Sequence, residues 1–356
     1  MKTKILLTIA FVLTQIIYAQ TVRTVDNRPE SGAQFDNVPA AIAASAPGDI
    51  IYIHPSPTSY GSITIDKTLT LVGPGHNPAN SDGLRATLSS INLAANSVNS
   101  VIKGLNISSI SAYSFGTNSH NIHILNNRIT ASISGFAYAG NSDNWIIEGN
   151  YFDNGYSSTC ITASNMNNMQ VRNNYISGRL ISFNHTNVIT NNLFVHEDTA
   201  GTAQIFTSSS GITSPLVTNN MFVFTDPDIT ELTSTGTPIV YTNCLTWKEA
   251  GGVALIALPG SGNVDNADPL FTNPNDPNPA PAINDFYNNA YTLLVGSPAI
   301  GAATDGGDIG VFGRNFPFDI NGRPSSMPYP TEMTILNSVV QPGQNLNVIF
   351  KASQKN

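Results

Sequence analysis

The sequence predicts an all-β fold, a parallel β-solenoid with about 23 residues per coil. Three observations carry that expectation. A hydrophobic–Asn–Asn–x–hydrophobic unit recurs along the middle of the chain. The apolar residues on either side of it are β-branched or aromatic and keep their spacing. Charged residues make up only 11% of the chain, and Asn, Ser, Thr and Gly fill the gap, a turn-rich β composition rather than a helical one.

The units are IKGLNI (102–107), ILNNRI (124–129), IEGNYF (147–152), VRNNYI (171–176), ITNNLF (189–194), VTNNMF (217–222) and YTNCLT (241–246). Their fourth residues are Leu105, Asn127, Asn150, Asn174, Asn192, Asn220 and Cys244, separated by 22, 23, 24, 18, 28 and 24 residues. A period in this range marks a stacked repeat. Three residues before that point stand Ile102, Ile124, Ile147, Val171, Ile189, Val217 and Tyr241; two after it stand Ile107, Ile129, Phe152, Ile176, Phe194, Phe222 and Thr246. These read as inward positions on two short strands joined by a tight turn. A third apolar patch (Phe136, Ile161, Phe183, Ile205 with Phe206, Ile239) gives about three strands per coil. A leucine-rich repeat has a similar period but needs an L-x-x-L-x-L frame with helical spacing, which is absent.

In such a stack like positions lie about 4.8 Å apart. An Asn amide both donates and accepts, and Asn tolerates left-handed backbone at a turn. Asn127, Asn150, Asn174, Asn192 and Asn220 are therefore expected to form an internal hydrogen-bonded ladder. A looser series, Asn121, Asn144, Asn168 and Asn187, precedes the units.

At the N-terminus, Lys2 and Lys4 precede the apolar run ILLTIAFVLTQII, and Ala19 closes a cleavage site. Residues 1–19 read as a signal peptide, so the protein is expected to be secreted, extracellular or at the cell surface, with no later membrane span. From Gln20 the chain has 23 acidic and 13 basic residues (15 less Lys2 and Lys4), a net charge near −10. That balance argues against nucleic acid as a partner. Cys160 and Cys244 match no metal or redox spacing and read as buried free thiols.

A solenoid needs caps for its exposed edges. In FDNVPAAIAASA (35–46), Phe35, Val38, Ala41, Ile42, Ser45 and Ala46 have helical spacing, and Pro47-Gly48 ends the run. The strands of GDIIYIHPSPTSYG and SITIDKTLTLVGPG follow (48–75). This order resembles the N-terminal region of right-handed parallel β-helix proteins of the pectin lyase-like superfamily, and GSPAIGAATDGGDIGVFG (296–313) resembles their closing segment. The resemblance spans roughly 30–325 and implies a right-handed coil. It gives a β-helix domain over 20–325 and leaves 326–356 as a short β tail, two strands around Pro342-Gly343, pairing with the last coil. Residues 257–290, dense in Pro, Asn and Asp, read as an irregular loop over the C-terminal end.

The superfamily includes lyases, hydrolases and binding or adhesive proteins. The WxDH and RxPxxR motifs of pectate lyases and the NTDG, GHG and RIK motifs of polygalacturonases are absent. The leading expectation is a monomeric protein that contacts polysaccharide or a cell-surface glycan without catalysis. A divergent polysaccharide lyase or glycoside hydrolase, and a structural or adhesive surface protein, are the alternatives. Residues one after the repeat point read as outward, so Tyr151 over Tyr175 beside Arg128 forms the expected sugar-binding stripe. The alternative is an aromatic pair covered by a loop. Glu148 and Arg172, two before the repeat point, read as a stacked exposed ion pair. His196, Asp198, Asp226, Asp228 and Arg179 are the candidate catalytic cluster, whose carboxylates would suit calcium or an acid/base pair. Asp305 and Asp308 read as turn formers, and the other histidines show no ligand spacing.

Overall fold

A computed structural model describes residues 20–112, 119–136, 142–155, 158–196, 201–207, 214–236, 238–249, 251–272, 283–325, 327–337 and 339–354. The proposed signal peptide, residues 1–19, lies outside them. Among the described residues no helix is long and apolar enough to cross a membrane.

The chain is a parallel β-solenoid with about 24 residues per turn. Eleven short parallel strands, from Val22–Val25 to Gly260–Ser261, form a first sheet. The inward column on it is Ile51, Leu71, Ile102, Ile124, Ile147, Val171, Ile189, Val217 and Tyr241, in register coil upon coil and buried. A second sheet holds two rows. One aligns Ile129, Phe152, Ile176, Phe194, Phe222 and Thr246; the other aligns Ile133, Ile161, Leu180 and Phe206. This row continues back through Ile110 and Ile91 to Ile63, and its member on the Asn127 coil is Ile133 rather than Phe136, which opposes Ser164.

The two asparagines of each unit have different jobs. Left-handed backbone falls on the first, not on the stacked one. Gly104, Asn126, Gly149, Asn173, Asn191, Asn219, Asn243 and Gly262 have φ between 50° and 70°, a region only Gly and Asn enter cheaply. The second forms the ladder. Asn150 Oδ1 accepts from Asn127 N (2.9 Å), Asn174 Oδ1 from Asn150 N (2.9 Å), Asn192 Oδ1 from Asn174 N (3.1 Å) and Asn220 Oδ1 from Asn192 N (2.9 Å). From Asn127 to Asn192 each Nδ2 donates to the next ladder oxygen and to an inward-strand carbonyl, as Asn174 does to Ile147 O at 2.9 Å, while Asn220, followed by Cys244, keeps the carbonyl bond, to Ile189 O. Buried backbone groups at the turn are thereby satisfied. In the looser series Asn99, Asn121 and Asn144 are bonded in line. Thr186, not Asn187, follows Asn168; Asn187 turns inward and accepts from Met169 N.

The N-terminal end is closed by the helix Val38–Ala44, capped by Asn37, whose Oδ1 accepts from Ala40 N at 2.8 Å. Val38, Ala41 and Ile42 are buried against the first coils. At the other end the solenoid runs further than its sequence promised. Gly260–Ser261 pairs with Tyr241–Thr242, Val264 with Leu245, and Asn263 Oδ1 accepts from Cys244 N. Ser261-Gly262-Asn263 is one more unit of the repeat, inside the segment expected to be loop.

The largest correction concerns the residues one after the repeat point. They do not face water. Tyr151, Tyr175, Leu193, Met221 and Leu245 are buried in a second core with Phe271, Phe286, Tyr291, Ile309, Val311 and Phe318. The covering chain returns along the solenoid as a strap, read out by the first-asparagine column. Asn243 Nδ2 donates to Ala302 O (2.7 Å), Asn219 Nδ2 to Thr304 Oγ1 (3.0 Å), Asn191 Nδ2 to Asp308 O (3.3 Å) and Asn173 Nδ2 to Val311 O and Gly313 O (both 3.0 Å). Where the column reads Gly149 and Gly104, a Cβ would meet Phe316 at 3.0 Å and Pro324 at 2.7 Å. The strap ends at the first coils, where Asn321 O accepts from His76 N at 2.9 Å.

Beyond the strap, Tyr329–Ile335 and Val348–Ser353 form an antiparallel two-stranded ribbon. Among the described residues it pairs only with itself, not with the last coil.

Candidate functional site

Of the candidate catalytic cluster, His196, Arg179, Asp226 and Asp228 fall within the described residues. His196 is the fourth residue of Leu193–His196, in register with the core residue Phe224. It therefore turns inward and is 1% exposed. Burial, with Arg179 nearby, pushes its imidazole down to about 4. His196 Nε2 and Arg179 Nε have no hydrogen-bond partner among the described residues. Asp226 accepts the backbone N–H of Asp228 at 2.7 Å, closing its own turn. The cation serving that turn is Lys248, whose Nζ donates to Pro227 O (2.5 Å), Ile229 O (2.9 Å) and Val253 O (2.5 Å). Asp198 lies outside the described residues. Among the described ones no three His, Cys, Asp or Glu side chains are grouped to hold a metal ion.

The aromatic pair is real but covered. Tyr151 is 5% exposed and Tyr175 fully buried. The Tyr151 ring stacks on Phe286 at 3.8 Å and meets Tyr175 edge-on at 5.4 Å; Tyr175 also meets Tyr291 at 5.3 Å. Burial holds both phenols above their usual range. Arg128 stays half-buried at the rim. Its Nε donates to Asp153 Oδ2 (2.9 Å), its Nη1 to Asn106 Oδ1 (2.8 Å), and its guanidinium lies 6.0 Å from the Tyr151 ring. His76 completes the group, with Nδ1 3.1 Å from Tyr287 Oη and its ring near Tyr151 and Phe286. Burial and the charges of Arg128 and Arg85 push it down to about 3. No sequence signal marks His76, because its partner Tyr287 is 211 residues away.

Apart from Asn243, Tyr241 and Cys244, the first sheet's far coils present their outward side chains in two rows. Along one, Lys103, Leu125, Glu148, Arg172, Thr190, Thr218, Thr242 and Ser261 succeed one another. Glu148 Oε1 accepts from Arg172 Nε at 2.7 Å, the expected stacked pair. Thr218 Oγ1 donates to Thr190 Oγ1 at 3.1 Å. The neighbouring row reads Val101, His123, Ile146, Gln170, Val188 and Leu216, and Val240 precedes Tyr241 in the same sense. Leu216 is 52% and Val240 57% exposed. On the last coils an aliphatic row therefore runs beside a hydroxyl row. Burial lowers the His123 pKa on the earlier coils.

No protein-family model matches the chain, and no curated protein matches it.

Proposed function

We propose that the protein is a secreted or cell-surface β-helix that binds polysaccharide without catalysis. In this reading the coil is right-handed and of the pectin lyase-like kind. The short helix Val38–Ala44 against the N-terminal coils and the closing strap support that assignment. The binding surface is the outward face of the first sheet on its last coils, not the Tyr151–Tyr175 stripe.

One observation carries the reading: exposed Leu216 and Val240 stand beside the hydroxyls of Thr218, Thr242 and Ser261. Aliphatic side chains suit the C–H faces of sugar rings, and hydroxyls exchange hydrogen bonds with sugar hydroxyls. The strand spacing of about 4.8 Å presents them periodically, as an extended glycan presents its own groups. The acidic charge favours a neutral or cationic glycan over an anionic one. His196 turned into the core and Asp226 engaged in closing its own turn support binding over turnover.

The test is retention on a panel of immobilised neutral, cationic and acidic polysaccharides, with turnover followed in parallel. Retention without product, lost in Leu216→Asp with Val240→Asp, is the expected result. Release of unsaturated or newly reducing ends overturns the noncatalytic reading; retention unchanged in that variant overturns the face.

A further inference from the structure

The three strand rows of the solenoid do not end on the same coil. The first-sheet row runs on to Gly260–Ser261 and the middle row to Leu245–Lys248, but the third row stops at Glu231–Thr235. After Lys248 the chain passes this strand, where Ile256 N donates to Thr230 O at 2.8 Å, and returns to the first sheet. Where the next strand of the third row would lie there is a recess of about 410 Å³. Glu231, Leu232, Thr233 and Ser234 form one wall, and Ile256 to Pro259 the other. Its lining is apolar and open: Ile256 is more than half exposed, and Pro238 and Ala257 are exposed as well.

At the opposite end the ribbon has the complementary defect. Its register places Met333 opposite Phe350 and Ile335 opposite Val348. Strand alternation puts these four on one face, and they are 43–68% exposed. The other face carries the Glu332–Lys351 ion pair. An isolated two-stranded ribbon is marginal in water, and an uncovered apolar face with free edges marks an association site.

The ribbon cannot fill the recess of its own molecule. The strap delivers it to the first coils, where Tyr329 lies by Tyr52, Pro74 and Arg323, the Arg323 guanidinium 4.3 Å from the Tyr329 ring. From Ile50–Ile53 to Tyr241–Thr242 the first sheet takes eight ladder steps, about 38 Å at 4.8 Å each. A seven-residue strand spans only about 24 Å. Laid along the axis, it would cross the solenoid strands instead of joining them.

We infer that the chain associates head to tail, the C-terminal ribbon of one copy docking beside Glu231–Thr235 of the next. One ribbon edge extends the interrupted third row, and the face of Met333, Ile335, Val348 and Phe350 covers Pro238, Ile256 and Ala257. The contact joins two different surfaces, so it is heterologous and propagates rather than closing as a dimer. This replaces the monomer expected from the sequence.

The test is sedimentation of the chain from Gln20 to Asn356 across micromolar concentrations, with two exposed-site variants, Phe350→Lys on the ribbon and Ile256→Lys at the recess. Wild type is expected to show a ladder of species growing with concentration, and each variant alone to stay monomeric with an unchanged thermal melt. Mixed one to one, the variants are expected to form a dimer that grows no further. Phe350→Lys keeps a working recess and Ile256→Lys a working ribbon, so one intact interface forms per pair. A wild type that remains monomeric overturns the inference. So does an Ile256→Lys variant that associates like wild type, the result expected if two ribbons pair with each other.

Discussion

Asn173 Nδ2 donates to Val311 O at 3.0 Å, joining a repeat turn to a strap 138 residues further along the chain. Its neighbour Asn174 spends its amide inside the coil, on Ile147 O, Arg172 O and Asn192 Oδ1. Adjacent identical residues thus serve two different assemblies.

Substitution separates them. Asn174→Ala removes those bonds and orphans Asn150 N; a loss of about 3 kcal/mol or more is expected. Asn173→Gly keeps the left-handed turn and loses only the strap bonds, about 1–2 kcal/mol. Asn173→Ala should cost about 1 kcal/mol more than Asn173→Gly, because Ala is strained at φ 52°. Urea unfolding of the three variants measures the order.

Tyr175→Ala empties the centre of the second core and should destabilise by about 3–5 kcal/mol, yet leave polysaccharide retention intact wherever the variant is folded. Leu216→Asp should do the reverse, changing stability by less than about 0.5 kcal/mol and weakening retention. Thermal melts and retention on the same samples decide it.

Acid should destabilise the fold early. His76 and His196 are held down to about 3 and about 4, so below the usual histidine range the unfolded chain binds protons that the folded chain refuses. Stability is then full above about pH 6.5 and falls as pH drops toward the folded values. Between pH 6.5 and 5 each histidine contributes a loss on the order of 2 kcal/mol. His196→Phe, matching Phe224 on the next coil, should shallow that slope; an identical slope in urea midpoints would refute the assignment.

Both cysteines should be silent in the native state. Cys160 donates to Asn154 Oδ1 at 2.8 Å, and burial raises its thiol pKa; burial also pushes Cys244 up to about 12. A thiol reagent at neutral pH is expected to label neither until denaturant is added, and then both.

The ladder, the inward columns and the capping helix were legible because each is a short periodic pattern whose cause is local: alternation along a strand, helical spacing over 38–44, one amide per turn. The left-handed residue was misplaced by one position, since two adjacent asparagines look alike until each side chain has a partner. The last coil was missed because Ser261-Gly262-Asn263 keeps the turn chemistry but sits in Pro-rich sequence. His196 was misread because the strand Leu193–His196 runs on to include it, so alternation from the inward Phe194 turns inward a side chain that a loop would have left outside.

Sequence alone determined that this chain coils, with which residues inside and where the asparagines stack, because stacking identical neighbours requires the repeat to be written out. Only the tertiary structure decided which outward residues meet water. Alternation reports the side of a strand on which a residue lies, not what later covers that side. Tyr175 alternates like a surface residue and is buried because a segment more than 100 residues away returns over it, placing Phe286 4.9 Å from its ring.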